Sequence, residues 1–213
     1  MTGKVNANLK RQVYETIKEK IITCEYRPGS VLTEAYLTEE MQNSRTPVRE
    51  AVGILESEGF VKVLPKKGIF VTDILLSDVI QIFQARLEIE PLCIRLGKNN
   101  FSTEELEVWK QRFESPTMDD LSDKELDSKM HMDLISKCNN KYIIAMMKKV
   151  SDQNRRIIIC SKNNSKHIIE ARHEHVEILG ALIEGDFEKA SILMREHIAD
   201  CRQAAMDYFY SAQ

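Results

Sequence analysis

The amino-acid sequence predicts a mainly α-helical protein, with an N-terminal winged helix-turn-helix over residues 1–73 and an antiparallel bundle of six helices over residues 74–213. Two observations favour the first part: a short helix before Gly59 carries arginines at its start, and a β-hairpin with a basic tip follows it directly. A third favours the second part, because apolar residues after Asp73 recur only at helical spacing.

The short helix has recognisable ends. Ser44 or Thr46 can cap its N-terminus, and Pro47 fits the first turn, where a missing N–H costs nothing. Gly59 suits the left-handed position that ends a helix. The apolar residues between these ends fall at helical spacing and predict one buried stripe: Val48, Ala51, Val52 and Leu55.

Basic residues concentrate at two places in this part of the chain. Arg45 and Arg49 are four residues apart, on the side of the short helix opposite its apolar stripe. Lys66 and Lys67 lie in the turn at 65–68, between two short runs of alternating β-branched residues that predict the hairpin. A helix with arginines followed by a hairpin with a lysine-rich tip is typical of a winged helix-turn-helix that binds DNA.

The remaining helices are predicted from apolar periodicity and polar boundaries. Ser77 and Ser102 are expected to cap two helices of the bundle, and Pro91 is expected to kink the first of them. Besides the helix between Ser44 and Gly59, the predicted helices cover residues 8–23, 33–41, 77–97, 102–113, 119–137, 141–160, 166–184 and 186–210.

The charge is nearly balanced, so DNA binding must depend on local placement of basic side chains. The net charge is −3; residues 1–73 carry 11 basic against 10 acidic side chains, and residues 74–213 carry 19 against 23. The sequence therefore provides no general basic field that would attract nucleic acid.

The sequence carries no signal for a membrane or for secretion. No stretch approaches the roughly 20 apolar residues that a membrane-spanning helix needs. The N-terminus lacks the apolar core of a signal peptide. The five cysteines are scattered, without a Cys-x-x-Cys pair, unlike those of a secreted disulfide-rich protein. We therefore expect a cytoplasmic protein with no membrane partner.

Four polar residues of the bundle have spacings that suit a metal site. Asp127 and His131 are four apart and share a helix face. His175 and His197 each lie 11 residues from Asp186, where two long helices are expected to turn back, so they come to the same height on opposite helices. Three nitrogens and one oxygen suit zinc first, with nickel or manganese as alternatives.

Plainer interpretations of these residues stay open at this point. An Asp-x-x-x-His pair is usually a solvated helix pair, and Arg86 with Glu90 would usually be an ordinary i, i+4 ion pair. His167 and His173 are expected on the surface. The metal set also fits a metal-dependent hydrolase with an accessory winged helix, and the winged helix could instead be a protein-docking module.

Two sets of motifs resemble one known family. Residues 8–72 resemble the winged helix-turn-helix of GntR-type bacterial transcription regulators, and residues 77–210 resemble the effector-binding FCD domain of the family's FadR-like branch. Six bundle helices are more similar to its VanR-type subgroup. The matching motifs include the segment from Ser44 to Ala51, Leu55-x-x-Glu58-Gly59, Gly68-x-Phe70-Val71, Arg86-x-x-x-Glu90-Pro91, Asp127-x-x-x-His131, Glu174-His175 and Met194-x-x-His197.

The resemblance implies a function for individual residues. It implies a transcriptional regulator, most often a repressor, that binds a pseudo-palindromic operator as a homodimer and responds to a small organic acid. It implies metal ligation by Asp127, His131, His175 and His197. It also implies effector contacts from Arg86 and Asn140. The implied DNA contacts are Ser44, Arg45, Thr46 and Arg49 on the helix and Lys66, Lys67 and Gly68 on the wing.

Overall fold

The computed structural model describes residues 2–115, 120–160 and 165–211, with the side chains of 8–115, 124–160 and 169–210. The chain separates into two compact units, with the boundary after Ile74. We call them the head and the bundle and treat each by itself. None of the helices in the described ranges is long and apolar enough to cross a membrane.

The head is the expected winged helix-turn-helix. Its strands form one antiparallel sheet in the order β1-β3-β2, so the predicted hairpin gains a third strand. Val61 lies opposite Val71 in the hairpin, and Val31 opposite Phe70 at the added strand. The head comprises α1 Thr2–Ile22, β1 Val31–Leu32, α2 Glu34–Glu40, α3 Arg45–Ser57, β2 Val61–Leu64 and β3 Gly68–Val71.

The core of the head lies between α1 and α3, and its position fixes which side of α3 is exposed. The predicted apolar stripe of α3 is buried and packs against buried residues of α1, among them Val13, Ile17 and Ile21. Gly59 has φ +81° and ends the helix, with Phe60 N donating to Leu55 O at 3.0 Å, as predicted.

The bundle contains six helices within the described ranges, and this fold class is also as predicted. Helix α4 packs mainly on α9, α9 on α8, and α8 on α5, while α6 packs on α7. Gly185, at φ +76°, lies in the turn between the last two helices. The helices are α4 Leu76–Leu96, α5 Thr103–Glu114, α6 Asp120–Ser136, α7 Lys141–Cys160, α8 Ser165–Ile183 and α9 Phe187–Ser211.

The start of α4 differs from the prediction. Ser77 is not its N-cap, because the helix begins at Leu76 and the carboxylate of Asp78 accepts from Leu75 N at 3.1 Å instead. Ser102 does cap α5, accepting from Glu105 N at 3.4 Å. Pro91 lies inside α4, which runs unbroken around it, and its carbonyl accepts a bond from Ser191 Oγ of α9 at 3.0 Å.

Candidate metal centre and DNA-binding surface

The head exposes the polar residues at the N-terminal end of α3. Ser44, Arg45, Thr46 and Arg49 are all solvent-exposed. Ser44 occupies the N-cap position without a side-chain capping bond. Arg49 Nε donates to Glu34 Oε2 of α2 at 2.7 Å, yet the arginine side chain remains 67% exposed. The N-terminal turn of α3 therefore presents cations and hydroxyls to solvent, which is what reading a DNA groove requires.

The tip of the hairpin also has the predicted character. Lys66 and Lys67 are exposed, and Lys66 has a positive φ of 63°. Gly68 has φ +116°, and a Cβ built on it would lie 2.5 Å from the carbonyl oxygen of Leu32. Gly68 is thus required for the close approach of β1 to β3. The two lysines supply the positive charge of the wing.

The bundle brings the four residues with metal-site spacing together. Asp127 and His131 lie on α6, His175 on α8 and His197 on α9, and one ligand atom from each falls within 4.8 Å of the others. His175 Nε2 lies 3.1 Å from His197 Nε2 across the hairpin of α8 and α9. Asp127 Oδ1 lies 3.3 Å from His175 Nε2 and 3.5 Å from His131 Nε2. The equal spacing about Asp186 therefore predicted the pairing correctly.

The chemistry of this cluster fits a divalent metal ion. The three histidines are at most 3% exposed, and the Asp127 side chain is 19% exposed. His131 Nε2 has no hydrogen-bond partner among the described residues, although it is buried. A buried nitrogen without a partner is costly, and three imidazoles facing one carboxylate are a ligand set typical of zinc and related ions.

Two of the histidines each contact a carboxylate through the Nδ1 atom of the ring. Glu90 Oε2 lies 2.5 Å from His131 Nδ1, and Glu174 Oε2 lies 2.6 Å from His197 Nδ1. Such contacts fix the ring and direct the other nitrogen, here Nε2, towards a metal. Sequence reasoning missed both roles: Glu90 was interpreted only as a partner of Arg86, and Glu174 only as part of a motif.

The electrostatics keep Glu90 ionised and His175 neutral. Burial alone would raise the pKa of Glu90, but the charges of Arg86 and His131 outweigh it and lower the pKa to about 2. Burial, assisted by His197, lowers the pKa of His175 to about 3. Its nitrogen lone pair is therefore available at neutral pH.

The pKa of His197 is shifted in the opposite direction. Burial lowers it, but the effects of Cys201, Glu174 and Asp127 outweigh burial and raise the pKa of His197 to about 10. Protonation of this ring and metal ligation would compete, so a metal ion that bound here would displace a proton.

A cavity of about 410 Å³ adjoins the metal cluster. Asp127 and His175 form part of its wall, so a small molecule inside it can reach the metal site. The sequence did not predict this cavity, because its wall combines residues of five helices. Its other described lining residues include Phe113, Lys124, Ile158, Glu170, Arg172, Glu174, Asp200, Cys201, Gln203, Ala204 and Asp207.

The two residues expected to contact an effector lie elsewhere. Arg86 is 3% exposed and lines a separate space of about 10 Å³ behind His131, where its Nε donates to Glu90 Oε1 at 2.6 Å. Asn140 is exposed, and its Oδ1 accepts from the backbone N of Tyr142 and of Ile143, so that it caps α7. The structure does not bring either residue to the larger cavity.

The other two histidines do not join the cluster in any described contact. His173 is exposed, as expected for a residue two positions from His175 on the same helix. The side chain of His167 lies outside the described ranges.

Comparison with known proteins identifies the two units. Residues 9–71 match the model of the bacterial regulatory proteins of the gntR family, and residues 81–200 match the FCD domain. The chain belongs to the GntR family. It is therefore a DNA-binding transcriptional regulator whose winged helix-turn-helix is joined to an effector-binding FCD domain, as the motifs predicted.

Individual relatives agree with this assignment. A regulator from an unstable DNA locus of Streptomyces ambofaciens is 30% identical over 207 residues, covering 92% of this chain and 83% of the relative. The transcriptional repressor GlaR of Escherichia coli is 26% identical over 198 residues, covering 87% and 90%. The structure of E. coli McbR/YncC has the same fold, with a TM-score of 0.79 at 19% identity over 94% of this chain and 98% of that one.

These relatives overturn one alternative. A metal-dependent hydrolase with an accessory winged helix was compatible with the residue pattern, but the proteins that the GntR-family chain resembles are transcriptional regulators rather than enzymes. The histidine cluster must accordingly be explained within a regulator.

Proposed function

We propose that this GntR-family protein is a metal-containing repressor that responds to a small organic acid. The observation that carries the proposal is the convergence of three buried histidines and Asp127 at the wall of a 410 Å³ cavity. The repressor GlaR among its relatives supports the direction of regulation. The six described bundle helices favour the VanR-type subgroup. The protein acts in the cytoplasm as a homodimer on a pseudo-palindromic operator.

The head reads DNA through the N-terminal turn of α3. Arg45 or Arg49 can donate two hydrogen bonds to guanine O6 and N7, which gives about 1–3 kcal/mol of discrimination against another base. Ser44 and Thr46, exposed beside them, can contact phosphates. The wing, with Lys66, Lys67 and the backbone at Gly68, adds contacts in the minor groove or at phosphates, and this attraction weakens with salt.

Asp127, His131, His175 and His197 hold the metal ion, for which zinc is the first candidate and nickel or manganese are alternatives. When bound, the ion supplies a Lewis-acidic position that can take a carboxylate oxygen. The chain's own contribution is to bury the histidines, to fix two of them with Glu90 and Glu174, and to open the cavity beside Asp127 and His175.

The effector changes operator binding only if it binds one arrangement of the dimer more tightly than the other. A ligand with equal affinity for both arrangements does not change the equilibrium between them. A tenfold change in operator affinity requires about 1.4 kcal/mol of such coupling, which one carboxylate bound in one arrangement alone can supply.

Metal content tests the site. Elemental analysis should find about one divalent ion per chain in the wild-type protein and little in His175→Ala and His197→Ala. His173→Ala is the matched control, because it removes an exposed histidine two residues from His175 on the same helix. Equal metal content in all four proteins would contradict the proposed site.

DNA binding tests the head. A duplex selected from a random library by the wild-type protein serves as operator, and Arg49→Ala should weaken its binding by about tenfold or more. Arg11→Ala, which removes an exposed arginine of α1, is the control. If Arg49→Ala binds the selected duplex as the wild type does, α3 does not read DNA, and the protein-docking interpretation of the head would be favoured.

A further inference from the structure

We infer that Cys201 is a fifth ligand of the metal ion held by the histidine cluster, and that its thiolate sulfur binds the ion from the side of the 410 Å³ cavity. The inference rests on the proposed function, because it takes an ion at the cluster as given. It adds a sulfur to a set of nitrogen and oxygen donors, and this addition determines which metals the site prefers.

Cys201 lies on the same helix as one of the histidines, one turn further along. It follows His197 by four residues on α9, so the two side chains share a helix face. Asp127 and His131 have the same spacing on α6. Two ligands four residues apart on one helix are a common arrangement in metal sites. Two helices thus each supply such a pair, and His175 of α8 completes the set.

The distance between the sulfur and the histidine ring suits a shared ion. Cys201 Sγ lies 3.7 Å from His197 Nε2. Bond lengths of about 2.0–2.1 Å to nitrogen and about 2.3 Å to sulfur place two donors of one zinc ion about 3.6 Å apart at a tetrahedral angle, and about 3.8 Å apart at about 120°. The same His197 Nε2 lies 3.1 Å from His175 Nε2 on α8. It therefore has two neighbours, each close to the distance expected of donors around one ion.

The cysteine side chain has room to bind an ion. Cys201 is partly buried and lines the cavity together with Asp127 and His175. The hydrogen-bond contacts described for its sulfur are both with the His197 ring, at 3.7 Å from Nε2 and 4.0 Å from Nδ1. Its thiol is not in a disulfide. A thiol is a weak hydrogen-bonding group, so these contacts do not oppose rotation of the side chain towards an ion.

A buried atom of another residue indicates an ion here independently of the cysteine. His131 is 3% exposed, and its Nε2 has no hydrogen-bond partner among the described residues. A buried nitrogen without a partner is costly, and a metal ion satisfies it. Cys201 is therefore added to a site that other residues already indicate.

The two fully packed cysteines of the bundle show the alternative, which is a cysteine that serves as a small apolar side chain. Cys93 and Cys138 lie in one buried cluster with Ile135 and Met147. Cys201 differs from both, because it borders a cavity and its sulfur lies against an imidazole ring.

Sulfur ligation affects the choice of metal. Thiolates are soft ligands that suit zinc, whereas manganese prefers carboxylate, carbonyl and water oxygens. A coordinating thiol is deprotonated, and its proton passes to solvent. The charges of Cys201 and Asp127 then offset the two positive charges of the ion. We therefore expect the site to prefer zinc to manganese more strongly with Cys201 than without it.

Cobalt(II) in place of zinc tests the sulfur ligand directly in the full-length protein. Thiolate bound to cobalt(II) gives an intense charge-transfer absorption in the near ultraviolet, which imidazole and carboxylate ligands do not give. The wild type should show this band. Cys201→Ala and Cys201→Ser, which keeps the size of the side chain, should lack it. A cobalt-loaded wild type without the band, or an undiminished band in both variants, would overturn the inference.

The matched control is Cys138→Ala, which removes a buried thiol of the apolar cluster. It should retain the charge-transfer band of the wild type when loaded with the same amount of cobalt. A band that disappears in cobalt-loaded Cys138→Ala but stays in cobalt-loaded Cys201→Ala would assign the sulfur ligand to the other cysteine.

Metal selectivity distinguishes a ligand from a residue that only supports the fold. Loss of an outer-shell partner costs about 10- to 100-fold in metal affinity, so loss of a ligand should lower the zinc affinity of Cys201→Ala by about tenfold or more. The manganese affinity should fall less, because sulfur is a poor donor for that ion. Competition with a chromogenic chelator measures both. An equal loss for the two metals would contradict ligation by Cys201.

The histidine variants separate failure of this inference from failure of the proposed function. If the wild type binds zinc and His175→Ala does not, while Cys201→Ala binds zinc as the wild type does, the four-residue site stands and the fifth ligand is excluded. If the wild type and His175→Ala contain equally little metal, the proposed site fails and the inference fails with it.

Discussion

Glu90 and His131 form a buried contact between two helices of the bundle, with Glu90 Oε2 2.5 Å from His131 Nδ1 and both side chains at most 4% exposed. The contact fixes which nitrogen of His131 faces Asp127. Glu90→Gln removes the charge but keeps the size of the side chain, so we expect a 10- to 100-fold loss of metal affinity. Competition with a chromogenic chelator measures that affinity.

The control for this variant is two residues away on the same helix. Glu88 is exposed and pairs with Arg195 at 3.0 Å, away from the histidines. Glu88→Gln should retain the metal as the wild type does. If the Glu88 and Glu90 variants lose metal to the same extent, the effect of Glu90→Gln is not due to its contact with His131.

A second prediction concerns Arg86, whose Nε lies 2.6 Å from Glu90 Oε1 in a pair that is 3% exposed on both sides. Arg86→Ala leaves the Glu90 carboxylate buried without its main cationic partner, and we expect a loss of about 3–5 kcal/mol in the free energy of unfolding of the bundle. Denaturant titration of the full chain measures it. Arg195→Ala, from the exposed pair with Glu88, should have little effect.

The Arg86 comparison also distinguishes two interpretations of that residue. If Arg86 met the effector's carboxylate, as the family resemblance implies, its removal would weaken ligand binding without a large change in stability. The structure places it behind His131 instead, so that the loss of stability should be the larger effect. A stable Arg86→Ala protein that had lost only ligand affinity would favour the first interpretation.

Whether the sequence predicted a contact of the metal cluster depends on whether local geometry or the packing of separate helices determines that contact. The pairing of His175 with His197 was predictable, because two helices joined by a short turn place equal steps at equal height. The fold class was predictable from helical periodicity and the hairpin. Contacts such as Glu90 with His131 were not, since they depend on how α4 packs against α6, which periodicity does not specify.

The ends of the helices show the same difference between what the local sequence specifies and what it does not. Gly59 ends α3 as predicted because a left-handed residue is a local requirement. Ser77 was predicted as a cap from its residue type, but the helix begins one residue earlier, and the side chain of Asp78 accepts from the backbone N of Leu75 at the N-cap position. Asn140 was assigned to the effector by family resemblance, whereas its side chain caps α7. The 410 Å³ cavity was not predictable, since residues distant in sequence form its wall.

A third prediction concerns Glu34, whose Oε2 accepts from Arg49 Nε at 2.7 Å on the exposed side of the head. The carboxylate orients Arg49 and also places a negative charge beside the surface proposed to meet DNA. Glu34→Gln should therefore strengthen binding to random-sequence duplex and reduce the ratio of selected to random affinity. Fluorescence anisotropy at several salt concentrations measures both.

The matched control for Glu34 is Glu15, an exposed acid that pairs with Arg11 on α1 at 3.8 Å. Glu15→Gln changes the net charge equally but leaves Arg49 with its partner, so that the affinity ratio should stay as in the wild type. A similar change in both variants would mean that net charge alone, and not the orientation of Arg49, determines the ratio.

The last prediction concerns Gly68 at the tip of the wing, where β3 begins. Its φ of +116° is unfavourable for any other residue, and an added Cβ would lie 2.5 Å from the backbone oxygen of Leu32, which cannot move without disturbing β1. Gly68→Ala should lower the free energy of unfolding of the head by more than about 1 kcal/mol. Hydrogen exchange of the amides of β2 and β3 in the full chain localises the effect.

Gly53→Ala provides the opposite expectation in the same unit. Gly53 lies within α3, is exposed, and has nothing within 4 Å of a built Cβ. Alanine there should stabilise the head by roughly 0.5–1 kcal/mol, because it reduces the freedom of the unfolded chain. If the amides of β2 and β3 exchange in Gly68→Ala as they do in the wild type, β1 tolerates displacement. The short distance from residue 68 to the backbone oxygen of Leu32 would then not determine the stability of the wing.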